Sequence, residues 1–250
     1  MNKPLAVVIM AAGKGTRMKN PDMAKVMYQI NGKPMIEHVV DLACNLQARE
    51  TVVIVGWQKD SVIEHLVATS KGVKCVEQSP QLGTGHAVMQ AELPLRDFNG
   101  DVLVLSGDVP MLRTATVNEL LEIHEQQHAS ATVLTAVLED ASGYGRIVRN
   151  KDSDVVGIVE HKDATEEQRA IREINSGIYV FEKSMLFEGL RQVTPNNIQK
   201  EYYLTDVFDY FWKKRCKVSA IAAKNPQEIQ GINTVQQLEE ARILMAAPSS

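Results

Sequence analysis

Residues 6–18 read A-V-V-I-M-A-A-G-K-G-T-R-M. A short apolar run meets two glycines, a lysine and an arginine. The run reads as a buried parallel strand, and it empties into a glycine-rich turn. Two phosphate-binding patterns fail here on spacing. A P-loop needs G-x-x-x-x-G-K-[ST], and Gly13 and Gly15 lie too close together for it. A dinucleotide fingerprint needs a third small residue three positions after the second glycine, and that position is Met18. A secretory leader is disfavoured, because the apolar run is short and more strand-like stretches follow. What is left is a turn whose glycines admit a ligand close to the backbone and offer N–H groups to anionic oxygens. Lys14 and Arg17 add positive charge there. A tight turn with solvated cations explains the same residues, and the stretch alone does not separate the two readings.

Working outward, strand and helix signals alternate through the first half. Residues 51–55, 101–105 and 131–137 are strand-like. Residues 35–46, 60–69 and 114–127 carry helical spacing. Such alternation predicts βαβ units and a parallel sheet. The second half is less regular. Short strands are expected at 146–148, 155–159 and 177–181, with charged helical or loop material at 163–172. Residues 202–212 alternate too loosely to assign. A final helix should start near Thr234, which forms a capping-box pattern with Gln237. No linker or repeat divides the chain. One mixed-sheet domain is expected over 1–245, with a frayed tail at 246–250.

The chain has 250 residues, 44% hydrophobic and 23% charged, which suits a globular protein with a sizeable core. Its net charge of −4 gives no bulk attraction to nucleic acid or an anionic membrane. No apolar run approaches the roughly 18 residues of a membrane span. Cys44, Cys75 and Cys216 are scattered, as in reduced cytoplasmic proteins. His124 and His128 share helical spacing but lack an acidic or cysteine partner, so a metal pair there is not expected.

Three kinds of chemistry-bearing residue stand out. Asp108 follows the strand-like 101–105, at the carboxyl end where open α/β sheets bind ligands. Its carboxylate suits Mg²⁺; a turn Asp flanked by Gly107 and Pro110 is the local alternative. Q-L-G-T-G-H-A (81–87) is a second glycine corner, preceded by Gln78. Amide side chains there match a nucleobase edge, and a glycine lets the base lie flat; a helix start capped by Thr84 is the alternative. G-Y-G-R (143–146), E-H-K-D (160–163) and N-S-G (175–177) are polar clusters that supply sugar hydroxyl contacts or simple turns.

Together these residues resemble the uridylyltransferase domain of the bacterial N-acetylglucosamine-1-phosphate uridylyltransferases. The motifs, in family order across roughly residues 5–245, are A-A-G-K-G-T-R-M (11–18), Lys25, Q-L-G-T-G-H-A (81–87), G-D-V-P (107–110), G-Y-G-R-I (143–147), G-I-V-E-H-K-D-A-T (157–165), E-I-N-S-G-I (173–178), E-Y-Y-L-T-D (201–206) and G-I-N (231–233). A-A-G-x-G-T-R marks the wider sugar nucleotidyltransferase superfamily; E-H-K-D-A with E-Y-Y-L-T-D narrows it. The resemblance implies an α/β fold, a Rossmann-like mixed and mostly parallel sheet flanked by helices. It implies condensation of UTP with N-acetylglucosamine 1-phosphate, with Mg²⁺ as cofactor. By motif position, Ala11, Ala12, Gly13, Gln78, Gln81, Gly83 and Thr84 should contact the nucleotide. Gly145, Glu160 and Asn175 should hold the amino sugar, Asp108 and Asn233 the Mg²⁺, and Arg17 and Lys25 should face the phosphates. Two related readings are a glucose 1-phosphate enzyme using UTP or dTTP and a catalytically silent nucleotide-sugar sensor. E-H-K-D-A argues against the first, and Arg17, Lys25, Asp108 and Asn233 against the second.

Three departures from the family pattern stand out. Met23-Ala24 precedes Lys25 where the family has Leu-Pro, which frees the loop before the lysine. Ser106 stands where close relatives often have an aromatic residue, removing one wall of the sugar site. Many relatives continue into a left-handed β-helix acetyltransferase; no hexapeptide repeat is present here, so acetyl transfer is not expected.

Overall fold

The structure, a computed structural model, describes residues 3–18, 20, 22–69 and 72–246. In chain order, the first half holds β1 (Leu5–Ala11), β2 (Gln29–Ile30), β3 (Lys33–Pro34), α1 (Met35–Asn45), β4 (Glu50–Val55), α2 (Lys59–Thr69), β5 (Lys74–Glu77), α3 (Thr84–Met89), β6 (Asp101–Ser106) and α4 (Thr114–Gln126). The second holds β7 (Ala131–Val137), β8 (Arg146–Arg149), β9 (Val155–Val159), α5 (Glu166–Arg169), β10 (Glu173–Glu182), α6 (Lys183–Leu190), α7 (Val207–Lys213), β11 (Val218–Ala222) and α8 (Val235–Ala246). The tail expected to begin at 246 is one residue shorter, since Ala246 closes α8, and 247–250 lie outside the described residues.

Among the described residues the main sheet runs β11-β7-β10-β6-β1-β4-β5, with β8 attached to β10 and β9 to β8. Along that path β10 alone runs against the others, pairing antiparallel with both β6 and β7. The sheet is therefore mixed and mostly parallel, as expected. β1 sits between two parallel neighbours, and its alternate residues feed different cores. Ala6 and Val8 pack with Val52, Val104, Phe181 and Phe208 on the face covered by α3, α6 and α7. Val7 and Ile9 pack with Val53, Leu103, Ile36 and Leu120 on the face covered by α1, α2 and α4. That double burial is why the strand carries no polar alternation. A third cluster joins Met18, Ile30 and Met35 to Ile232 and Leu238, seating α8 over the β2–β3 hairpin.

The topology fixes where a ligand can sit. From β1 the chain steps to β4 and β5 on one side, then returns to β6 on the other. The loops after β1 and β6 part there, and such a switch point opens a crevice at the strands' carboxyl ends. His124 serves packing instead: it is 2% exposed on α4, and its Nδ1 lies 2.9 Å from Thr132 Oγ1.

Candidate active site

The turn after β1 is shaped by one glycine. Gly15 takes φ +60°, and a Cβ added there would lie 2.5 Å from Lys25 Cβ. Both conformation and space therefore exclude a side chain. At Gly13 an added Cβ meets nothing within 4 Å, so that backbone faces open space. Ala24, where the family pattern places proline, takes φ −60°, the value a proline ring imposes. The loop takes a proline-compatible turn into Lys25 without the ring.

Four residues from three distant stretches of the sequence converge at the crevice. Lys25 Nζ donates to the Asp108 carboxylate and, at 2.9 Å, to Asn233 Oδ1. Arg17 donates to the same Asn233 oxygen at 2.8 Å. The Asp108 backbone carbonyl accepts from Ile232 N–H at 2.9 Å, which brings the 231–233 loop alongside β6. Thr234 caps α8: its Oγ1 accepts from Gln237 N–H at 3.2 Å, and Gln237 Oε1 accepts from Thr234 N–H at 3.1 Å. Asn233 is thus released from capping, and its oxygen faces the two cations.

Two adjoining cavities open here. The first, about 480 Å³, is lined by Ala11, Ala12, Gly13, Lys14, Lys25, Gln78, Gln81, Gly83 and Thr84. The second, about 340 Å³, is lined by Arg17, Gly145, Glu160, Asn175 and Asn233. Met10, Thr84, Ser106 and Asp108 line both. Apart from Thr84, which lines both, the residues expected at a nucleotide and those expected at a sugar therefore fall into separate spaces that meet around Asp108. Ser106 stands on the seam.

The second glycine corner does not take the capped-helix alternative. Thr84 does not cap its helix; its Oγ1 accepts from Leu204 N–H at 3.0 Å. At Gly83, φ is +107°, and a Cβ would lie 2.6 Å from Tyr202 O. The space left by that missing side chain is filled by the 202 backbone, so the glycine serves this packing first. Gln78 is 3% exposed, and its amide nitrogen donates to Gly83 O at 2.9 Å and approaches His86 Nδ1 at 3.1 Å. The side-chain oxygen is what Gln78 has left to offer a ligand.

Around the second cavity, a bulge between Asn175 and Tyr179 interrupts the β10–β7 ladder. Asn175 Nδ2 donates to Tyr179 Oη at 2.7 Å, and its Oδ1 accepts from Gly177 N–H at 3.2 Å. Glu160 Oε1 accepts from Thr205 Oγ1 at 3.0 Å. Its Oε2 faces Gly145, 3.5 Å from where a Cβ would stand. Burial pushes the Glu160 carboxyl up, opposed by the Thr205 hydroxyl and reinforced by Asp163 and Glu201. Thr205 was not singled out in the sequence; its only signal is membership of E-Y-Y-L-T-D.

The neighbouring Asp206 is pushed up to about 6 by burial first, then by Asp209, Glu160 and Asp163. An unfolded Asp ionises near 3.8, so the folded protein holds this proton more tightly, and its ionised form opposes folding above about pH 6. Asp206→Asn should therefore raise Tm at pH 8, with the gain vanishing below about pH 4. The group is partly exposed, so solvent screening holds the gain to about 1 kcal/mol. Equal Tm for the two proteins at pH 8 would remove the like-charge strain from this account.

The nucleotidyl transferase family matches residues 6–226. The bifunctional protein GlmU of Brevibacillus brevis is 48% identical over 238 residues, covering 95% of this chain and 51% of that protein. Its namesake in Geobacillus thermodenitrificans is 48% identical over 240 residues, again 95% of this chain and 51% of that one. A Listeria monocytogenes GlmU is 45% identical over 98% of this chain and 52% of its own length. This chain thus spans about half the length of these curated relatives. A solved UDP-glucose pyrophosphorylase complexed with UDP-glucose superposes with a TM-score of 0.77 at 18% identity, covering 98% of this chain and 99% of that one. The apo form of such an enzyme gives 0.76 at 19% identity, covering 98% of each chain. At that identity the likeness is one of fold.

Proposed function

Because this chain belongs to the nucleotidyl transferase family, we propose that it joins UTP to N-acetylglucosamine 1-phosphate, giving UDP-N-acetylglucosamine and pyrophosphate. The observation that carries the reading is the pair of cavities meeting at Asp108, with Lys25, Arg17 and Asn233 clustered at the seam. A nucleotide in the first cavity and a sugar phosphate in the second would bring their phosphates together there. The nucleophile is a phosphate oxygen that is already an anion, so no general base is required. It attacks the α-phosphorus of UTP in line, the bond to the β-phosphate oxygen breaks, and pyrophosphate leaves. The difficulty is approach of two anions, which Lys25 and Arg17 relieve by position and charge.

The seam also fits Mg²⁺. Asp108 and Asn233 present two oxygen donors to one cation, at present the Lys25 ammonium. A single carboxylate with one amide oxygen suits an ion that takes its remaining ligands from water and substrate phosphates. Asp108 and Asn233 would hold it, and bound there it would supply Lewis-acid neutralisation of the phosphates. We place the enzyme in the cytoplasm, where UTP is made and Cys44, Cys75 and Cys216, all free, stay reduced. Among the described residues, no helix is long and apolar enough to cross a membrane.

Base choice follows from Gln78. With its amide nitrogen committed to Gly83 O, its free group is an acceptor, which matches the N3–H of uracil and not the bare N3 of cytosine. Gln78→Ala should raise KM for UTP by about tenfold, within the roughly 1–3 kcal/mol that an unmatched buried partner costs. KM for the sugar phosphate should stay near wild type. Equal loss for both substrates would move base recognition elsewhere. The reaction itself is tested by pyrophosphate release across a matrix of nucleoside triphosphates and sugar 1-phosphates. UTP with N-acetylglucosamine 1-phosphate should be fastest. Preference for glucose 1-phosphate would reassign the substrate, and silence with every pair would leave a nucleotide-sugar sensor.

A further inference from the structure

We infer that Thr205 is a positioning residue that holds the Glu160 carboxylate for the sugar, and that residues 202–205 form a strap tying this carboxylate to the nucleotide corner. The inference rests on the reading of the second cavity as the sugar-phosphate site.

Thr205 is 4% exposed, and its hydroxyl donates to Glu160 Oε1 at 3.0 Å. That bond pins one oxygen and leaves Oε2 turned toward Gly145 at the cavity wall. The strap is fastened on its other side by backbone. Tyr202 N–H donates to Leu82 O at 2.8 Å, and Gly85 N–H donates to Tyr202 O at 2.7 Å. Leu204 N–H donates to Thr84 Oγ1 at 3.0 Å. Thr84 lines both cavities, so a ligand seated against it bears on the residue next to Thr205. Nucleotide bound at 83–84 therefore steadies the strap, and the strap presents a correctly aimed Glu160.

The electrostatic setting makes the hydroxyl matter. Asp163, Glu201 and Asp206 face Glu160, as do the Tyr179 and Tyr203 phenols. Burial and the acidic neighbours favour protonation of Glu160, and the Thr205 hydroxyl favours the carboxylate. A protonated Glu160 loses acceptor capacity for sugar hydroxyls.

The test is steady-state kinetics of Thr205→Val and Thr205→Ser with both substrates from pH 5.5 to 8.5, plus calorimetric binding of UTP. The valine variant should raise KM for N-acetylglucosamine 1-phosphate by about tenfold. It should move the acid limb of kcat/KM for that substrate up by about half to one pH unit. Kd for UTP should change by less than about twofold, and serine should restore both sugar readouts. Should the valine variant not fold, Thr205→Ala gives the same comparison. A lowered Tm with an unmoved acid limb, or equal weakening of both substrates, would overturn the inference. Glu160→Gln, measured alongside, separates the premise: wild-type sugar-phosphate KM in that variant would remove the sugar from this cavity.

Discussion

Alanine at Asp108 should lower nucleotidyl transfer by about 10²–10³-fold and leave the fold standing, the usual cost of losing a contact to developing charge. The local role of Asp108 survives the change, because its backbone carbonyl still accepts from Ile232 N–H. What goes is the carboxylate that faces Lys25 and both cavities. Were Asp108 only a turn residue, its loss would cost about 0.5–2 kcal/mol of stability and spare chemistry. Asn233→Ala should cost less turnover, since an amide oxygen is a dipole where Asp108 is a full charge. The two losses should be non-additive if both act through one ion. The measurement is turnover against Mg²⁺ concentration for each single variant and the double. A wild-type Mg²⁺ profile in Asp108→Ala would sink the metal assignment, whatever its Tm.

The elements legible in the sequence are those with a one-dimensional signal. β1, β4 and β6 are short apolar runs because both sheet faces are covered. The α8 start was readable because Thr234 and Gln237 satisfy each other three residues apart. Edge strands carry less. β5 holds only the half-buried Cys75 and Val76 between charged ends, and β11 is similarly mixed, so neither was anticipated. β10 runs from Glu173, well before the expected 177, because a bulge lets the turn-like Asn175-Ser176-Gly177 stay within the strand. Asn31-Gly32, at φ 50° and 80°, is a hairpin turn whose signal is the Asn-Gly pair alone, with only two residues of strand on either side. Residues 202–212 resisted assignment because they join a backbone strap to a 3-10 turn and the aromatic α7.

The site was legible in a different way. Asp108 and Thr84 each have an adequate local explanation, as turn and as cap, and periodicity does not choose. The resemblance named them together with Asn233; Lys25 joins Asp108 and Asn233 across separations of 83 and 208 residues through side-chain bonds, and Ile232 N–H to Asp108 O sets the two loops side by side, none of which a local pattern encodes. Thr205 is the opposite case. Its partner lies 45 residues away, and a buried hydroxyl in a mixed segment gives no periodic signal.

Methionine at Lys25 should cost as much turnover as alanine at Asp108, about 10²–10³-fold, for a different reason. The lysine stem lies against Gly15, where an added Cβ would meet Lys25 Cβ, Cγ and Cδ at 2.5, 3.2 and 3.4 Å. Backbone thus aims the ammonium, and Lys25→Met keeps the stem while removing the charge. Arginine should not rescue, because a planar fork does not replace a compact ammonium between two oxygens. Lys25→Met leaves Asp108, whose side chain is 14% exposed, without its cation, at about 1–3 kcal/mol. Combining it with Asp108→Asn removes that stranded charge. The double variant should therefore recover Tm relative to Lys25→Met and recover no turnover. Recovery of both would make the pair a structural ion bridge, and wild-type kcat in Lys25→Met would take the lysine out of the reaction.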